Sequence, residues 1–339
     1  MTSALRAAVI GLGAMGRHHV RVLAELPDVD LVAVADVSQE QVDKISESYG
    51  IMGYSDVDTM FESQKLDMVS IVVPTSLHHE TSLKAMYHGI NVLCEKPIAS
   101  TVELAREMIQ VSRDQGVRLM IGHIERFNPA ILELKKRIEQ AGDIYQIVSR
   151  RLGPFPDRIR DVGVVVDLAS HDIDAMNFIL GSPAESVYAQ TAQRIHRTNE
   201  DMVLGTIRFA NGVIGSLDVN WLTSTKVREL MVTGSRGTFA ANYLTQDLQF
   251  FENGAVESSW ENLQDLQRIA IGKSIGYEFE KVEPLRTEIA SFVDAISNDT
   301  DVPAPPEGAA NALAIALSLI ESAETSSPVT PVLMPVLEA

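Results

Sequence analysis

The stretch AAVIGLGAMG, Ala7 to Gly16, decides how the first part of the chain is read. Four small or branched apolar residues lead straight into glycines spaced as G-x-G-x-x-G, and a helix-like segment follows at once. Strand, tight turn and helix in that order bring a pyrophosphate to the first helical amides. Gly11, Gly13 and Gly16 allow the backbone to turn and approach closely, and Ala14 and Met15 complete the loop. Asp36 stands at the end of the next apolar run, about 20 residues on, where such a unit places an acid against the adenosine ribose hydroxyls. That carboxylate repels a 2′-phosphate, and Val37 brings no cation to receive one. The expected cofactor is NAD rather than NADP; a glycine-rich turn without a ligand is the alternative.

Working outward, short apolar runs at 31–35, 68–73, 90–94 and 117–121 alternate with segments of helical spacing such as 40–49 and 102–115. Alternation of this kind means βαβ units and a parallel sheet. The pattern changes after about Gly122. In MVLGTIRFANGVIGSLDVNW, 202–221, Asn211-Gly212 separates two alternating runs and predicts a hairpin, and VRELMVTGSRGTFAANY, 227–243, repeats the theme. The expected fold is therefore α/β. A doubly wound parallel sheet occupies 1–122, and an α+β domain with a large, mostly antiparallel sheet occupies 123–339. Helical patterns at 129–141, 166–179 and 286–297 are expected to cover the inner face of that second sheet. A last helix near 308–325 is expected to pack back toward the N-terminal domain.

The bulk numbers agree with a globular chain. There are 339 residues, 45% hydrophobic and 22% charged, enough for roughly two domains. A net charge of -18 argues against a nucleic-acid partner, which needs clustered cations to displace counterions. A single cysteine, Cys94, excludes an intrachain disulfide and a cysteine-built zinc site and suits a reducing compartment. The N-terminus lacks the marks of an export signal, so the cytoplasm is the expected location. No uncharged apolar run approaches the roughly 20 residues of a membrane span, and the longest, 309–320, reads as a helix in water.

Other motifs carry less. Gly272-Lys273-Ser274 ends like a phosphate loop, but Gln267 stands where its first glycine is required. His18-His19 and His78-His79 are sequence neighbours and do not share a helical face. Asp167, His171 and Asp174 do share one, a spacing that suits a metal ion or a proton relay. Cys94, at an apolar strand end with no histidine paired to it in sequence, reads as an inert buried thiol.

Taken together, the glycine loop, PTSLHHE at 74–80, Glu95-Lys96-Pro97 and DLASHDID at 167–174 resemble the Gfo/Idh/MocA oxidoreductases. The resemblance extends through VTGSRGTF at 232–239 to EGAANALAIALSLIESAE at 307–324, nearly the whole chain. It implies a nicotinamide-dependent enzyme with an N-terminal Rossmann domain and an open-faced C-terminal sheet through which homodimers or homotetramers form. It assigns Lys96 a charge-stabilising role, His171 the acid/base role, and Asp167 that of orienting or relaying. Pro74, Thr75 and His78 match the segment passing under the nicotinamide, and Glu95 would hold the cofactor ribose or the lysine. In such proteins the bond before Pro97 is often cis. Independently of the family, ligands of an open parallel sheet lie outside the carboxyl ends of its strands, so Lys96 faces the cofactor crevice. A lysine there can stabilise an alkoxide while a histidine takes the proton.

Arg126, Arg150, Arg151, Arg158 and Arg160 stand close in sequence to the DLASHDID segment, in a chain with 28 Lys and Arg against 46 Asp and Glu. Guanidinium forks suit diphosphate oxygens. Arg126, Arg158 and Arg160, with Lys96 and His171, are the expected substrate contacts, and these stretches resemble the UDP-N-acetylglucosamine 3-dehydrogenase branch. Pairing of the arginines with carboxylates is the alternative. A free sugar or an inositol-type polyol is the second substrate class, and a dinucleotide-binding regulator without turnover is the reading of another class.

Overall fold

The computed structural model describes residues 4–156, 162–254 and 271–335. The chain begins with β1 (Leu5–Ile10), α1 (Ala14–Glu25), β2 (Val29–Ala35), α2 (Gln39–Tyr49), β3 (Met52–Tyr54) and α3 (Val57–Ser63). It continues with β4 (Met68–Ile71), α4 (Thr75–Tyr87), β5 (Asn91–Cys94), α5 (Val102–Gln115) and β6 (Leu119–Ile121). The six strands pair in parallel in the order β3-β2-β1-β4-β5-β6. The order reverses between β1 and β4, and that reversal leaves a crevice at their carboxyl ends. Successive residues of β1 and β4, such as Ala7, Ala8 and Val9 or Met68, Val69 and Ser70, are all buried. Burial of both faces is why these strands read as unbroken apolar runs rather than alternating ones. Local chemistry sets the helix ends: Asp56 accepts from the Thr59 amide at 2.8 Å, and Gly50 and Gly116 close α2 and α5 in the left-handed conformation.

The chain then forms α6 (Pro129–Arg137), β7 (Ile144–Pro154), a π-helical turn at Val165–Ala169 and α7 (Ser170–Leu180). Next come β8 (Ala184–Ala192), β9 (Met202–Phe209), β10 (Ile214–Asn220), β11 (Leu222–Gly234), β12 (Gly237–Asn242), β13 (Asp247–Asn253) and β14 (Ile271–Tyr277). These eight strands form one sheet, ordered β14-β13-β12-β11-β7-β10-β9-β8, antiparallel throughout except for β7 with β10. Both hairpins expected from the turn residues are present, at Asn211-Gly212 between β9 and β10 and at Ser235-Arg236 between β11 and β12. The cross-strand register sorts the faces. Ile147, Leu217, Leu230, Phe239, Ala241 and Phe250 are buried on one side, where α6 and α7 pack; Tyr188, Leu204, Met231 and Phe251 stand exposed on the other.

The last elements are α8 (Pro284–Asn298) and α9 (Pro306–Thr325). The helix expected at 286–297 to cover the second sheet packs elsewhere, and the structure corrects that expectation. The apolar stripe of α8, Leu285, Ile289, Phe292 and Val293, joins the core formed by Val9, Leu12, Val20, Leu23 and Leu93. Helical periodicity shows which face of α8 is apolar and says nothing of which sheet it meets. Charge secures the packing from outside: Arg21 pairs with Glu283, and Arg286 meets Glu25 at 2.8 Å. By contacts, the chain forms two compact units. One comprises Met1–Phe127, Glu283–Ala314 and Leu333–Ala339; the other comprises Asn128–Val282 and Ile315–Val332, so α9 is shared between them.

Candidate active site

The glycine loop is built as close packing demands. Gly11 has φ +92°, and a Cβ there would lie 2.4 Å from the Val72 carbonyl oxygen that follows β4. A Cβ on Gly16 would lie 1.9 Å from the Gly11 carbonyl oxygen, so α1 can approach β1 only without one. Gly13 differs: a Cβ would meet nothing within 4 Å, and the residue is exposed at the N-cap of α1. No side chain caps that helix, and its first turn carries no acid. Exposed helical amides beside an open glycine make a cradle for an anion. Asp36 ties the end of β2 to this loop, its carboxylate accepting from the Leu12 amide at 2.6 Å and from the Ser38 amide at 2.8 Å. Val37 beside it is 93% exposed. The residues present thus fit a dinucleotide, with the pyrophosphate at Gly13 and Ala14 and a ribose at Asp36.

On the other side of the switch point, α4 starts directly after Pro74, which is exposed, with Thr75 half-buried in its first turn. His78 is buried, with Nδ1 2.7 Å from the Pro97 carbonyl oxygen and Nε2 2.9 Å from that of Val73. Its ring is therefore engaged with the backbone. Glu95 follows β5; one of its oxygens lies 3.2 Å from His19 Nε2, and the other accepts from the Lys96 amide at 3.1 Å. His19, fully buried on α1, places Nδ1 2.6 Å from the Ser70 hydroxyl. Burial alone would raise the Glu95 pKa, but His19 and Lys96 outweigh it and hold the carboxyl below its ordinary value. The Lys96-Pro97 bond is cis, and Lys96 is half-buried at the carboxyl end of β5. Cys94 is fully buried, and the histidine that the sequence does not pair with it proves to be His78.

In the second unit, Asp167 lies in the π-helical turn and His171 in the first turn of α7, both half-buried. Such turns are rare and recur at functional sites. Asp174, on the face they were expected to share, is fully buried. Among the described residues no three His, Cys, Asp or Glu side chains gather at metal-binding spacing. The entry to this helix is held from a distant loop. Glu200 accepts from the Val164 amide through its carbonyl and from the Val165 amide through its carboxylate, both at 3.0 Å. A Cβ on Gly163 would lie 2.0 Å from that carboxylate, so only glycine lets the two meet. Burial raises the Glu200 pKa above its ordinary value. Further along, Asp172 anchors α7 to β7, receiving the Ser149 hydroxyl and Arg151 Nε, each at 2.7 Å.

Comparison with known proteins agrees with both halves of this description. Residues 5–123 match the model of the oxidoreductase family with NAD-binding Rossmann fold, and 131–240 match the GFO/IDH/MocA C-terminal domain. D-glucoside 3-dehydrogenase of Escherichia coli is 31% identical over 259 residues, 68% of this chain and 74% of that protein. The chain belongs to the Gfo/Idh/MocA oxidoreductase family. UDP-N-acetylglucosamine 3-dehydrogenase of Acidithiobacillus ferrooxidans is 27% identical over 293 residues, 86% of this chain and 89% of that protein. A solved structure of the A. ferrooxidans UDP-N-acetylglucosamine 3-dehydrogenase superimposes with TM-score 0.84 at 25% identity, covering 95% of this chain and 98% of that one. As a member of this family the chain carries an NAD-binding domain of the sugar and polyol dehydrogenases.

Within this Gfo/Idh/MocA chain the arginines disperse. Neighbours on a strand face opposite sides of the sheet. Arg150 emerges on the exposed face between Asp218 and Glu229, at 3.5 and 3.6 Å, while Arg151 turns inward to Asp172 and stacks on the Tyr243 ring at 5.2 Å. Arg126 is buried within the first unit, its guanidinium 2.7 Å from where a Cβ on Gly308 would stand. Arg158 and Arg160 lie outside the described residues. Two positioning groups escaped the sequence reading. His19 stands in the buried stripe of α1 with Gly16, Val20 and Leu23, and that spacing could have exposed it; Glu200 carries no local signal at all.

Proposed function

We propose that this protein is an NAD-dependent dehydrogenase that removes a hydride from a secondary alcohol of a sugar, with a nucleotide sugar of the UDP-N-acetylglucosamine type as substrate. The observation that carries the reading is the lysine turn at the mouth of β5. Lys96 follows a part-buried carboxylate that is itself held by His19, at the carboxyl end of a strand beside the switch point. NAD, when bound, accepts the hydride. As the carbon loses hydride, the hydroxyl proton passes to His171, the Lys96 ammonium offsets the charge growing on oxygen, and Asp167 orients the imidazole. The product is a ketone. NAD is preferred over NADP because the Asp36 carboxylate repels a 2′-phosphate.

The nucleotide-sugar substrate is supported by the long overlap with a UDP-N-acetylglucosamine 3-dehydrogenase, and position 3 of the ring by the additional likeness to a D-glucoside 3-dehydrogenase. The second of these favours a simple glucoside as the other reading. A screen of UDP-sugars, glucosides and polyols for NADH formation, with Lys96→Ala as control, separates them. Turnover of a UDP-sugar that falls about a hundredfold or more in Lys96→Ala supports the proposal. Efficient oxidation of glucosides alone moves the substrate, and parental turnover by Lys96→Ala removes the lysine from its role.

A further inference from the structure

His78 has an environment that its neighbours on α4 lack. The residue is 1% exposed, and each ring nitrogen faces a backbone carbonyl oxygen: Nδ1 that of Pro97 at 2.7 Å, Nε2 that of Val73 at 2.9 Å. A carbonyl only accepts, so each contact needs an N–H on the facing nitrogen. A neutral imidazole carries one N–H and would set a bare lone pair against the second carbonyl, away from water. The imidazolium supplies both donors.

The two carbonyls belong to different parts of the crevice rim. Val73 follows β4, at the switch point, and Pro97 follows the lysine at the end of β5. We propose that His78 is a positioning residue held as imidazolium, which staples the Lys96-Pro97 turn to the end of β4 and so presets the lysine. Burial by itself disfavours the cation, but Cys94 and the two carbonyls outweigh it, and the pKa is raised to about 9. Cys94, at the end of β5, is the titratable side chain that bears on the ring. His79, next along α4, turns instead to Glu107 on α5 at 2.9 Å.

The charge state is independent of the dehydrogenase reading, whereas the effect on turnover rests on it, and the experiment keeps the two apart. Nitrogen NMR of the full-length protein with labelled histidine, at about pH 7.5, should show one buried ring with protons on both nitrogens, absent from His78→Gln. A single bare nitrogen in that ring overturns the proposal, whatever the enzyme's substrate. In His78→Gln, whose one amide nitrogen cannot reach both carbonyls, kcat should fall about tenfold to a hundredfold, because small displacements of a catalytic group cost that much. The Kd for NAD should rise by less than kcat falls, since the glycine loop and Asp36 are untouched. A folded variant with parental kcat, or one whose only change is weaker NAD binding, refutes the positioning role. If the variant does not fold, the protonation of the ring in the parent protein decides.

Discussion

Inside the first unit, His19 Nε2 lies 3.2 Å from the Glu95 carboxylate, joining the helix that opens the nucleotide loop to the residue that precedes the lysine. Ser70 occupies the other ring nitrogen, and the second Glu95 oxygen accepts from the Lys96 amide. A buried carboxylate stripped of one partner costs about 1–3 kcal/mol. His19→Ala should lose stability of that order in urea unfolding, and kcat should fall more than KM rises. The Glu95 carboxyl is held below its ordinary value, so its contribution is present above about pH 4.5 and is lost as pH falls through the lowered value. Unchanged stability and unchanged kcat together would make His19 mere filling.

Glu200 runs the other way. Its pKa is raised chiefly by burial, so the folded protein favours the protonated acid, and that contribution is lost as pH rises through the raised value. Glu200→Gln keeps an acceptor for the Val165 amide and removes the half-buried charge. It should equal or exceed the parent's melting temperature at about pH 8. Glu200→Ala, which removes the carboxylate acceptor and leaves only the backbone carbonyl, should cost about 1 kcal/mol and slow turnover through disorder of the Asp167 turn. A Gln variant as damaged as the Ala variant would show that the charge itself is needed.

Asp36 has two tasks, and they separate by mutation. Its carboxylate accepts from the Leu12 amide, and from its place after β2 it is expected to meet the adenosine ribose. The parent should bind NAD at least about tenfold more tightly than NADP, roughly 1.4 kcal/mol. Asp36→Ala should weaken NAD binding and narrow the gap at the same time, as read by fluorescence titration. Equal affinities in the parent would end the selectivity argument.

The exposed face of the second sheet carries Tyr188, Leu204, Met231 and Phe251. We expect it to join copies of the chain into a dimer or tetramer, as the family resemblance implies, because burying these four side chains against a second copy removes apolar area from water. Leu204→Asp combined with Met231→Asp should convert the assembly to monomers by light scattering, with the far-ultraviolet dichroism retained. A monomeric parent protein would remove the expectation.

Much of this architecture is legible in the residues because it rests on short-range physics. The period of the apolar runs marks the strands of the parallel sheet, Asn211-Gly212 marks a hairpin, and Gly11 to Gly16 with Asp36 mark a nucleotide loop, since turn chemistry and side-chain periodicity act over a few residues. Three-residue β3 was not legible: Met52, Gly53 and Tyr54 form a strand only because Ala33 and Ala35 of β2 present a ladder to them. Nor was the sheet that α8 would meet, because an apolar stripe has no address. Arg150 and Arg151 look like one basic cluster in sequence, yet strand alternation sends them to opposite faces and to different carboxylates. His19, His78 and Glu200 acquire their partners from residues 76, 19 and 35 positions away. Sequence determined which chemical groups the chain carries and where it turns; packing decided which of them are desolvated together, and desolvation is what turns a histidine or a carboxylate into part of a site.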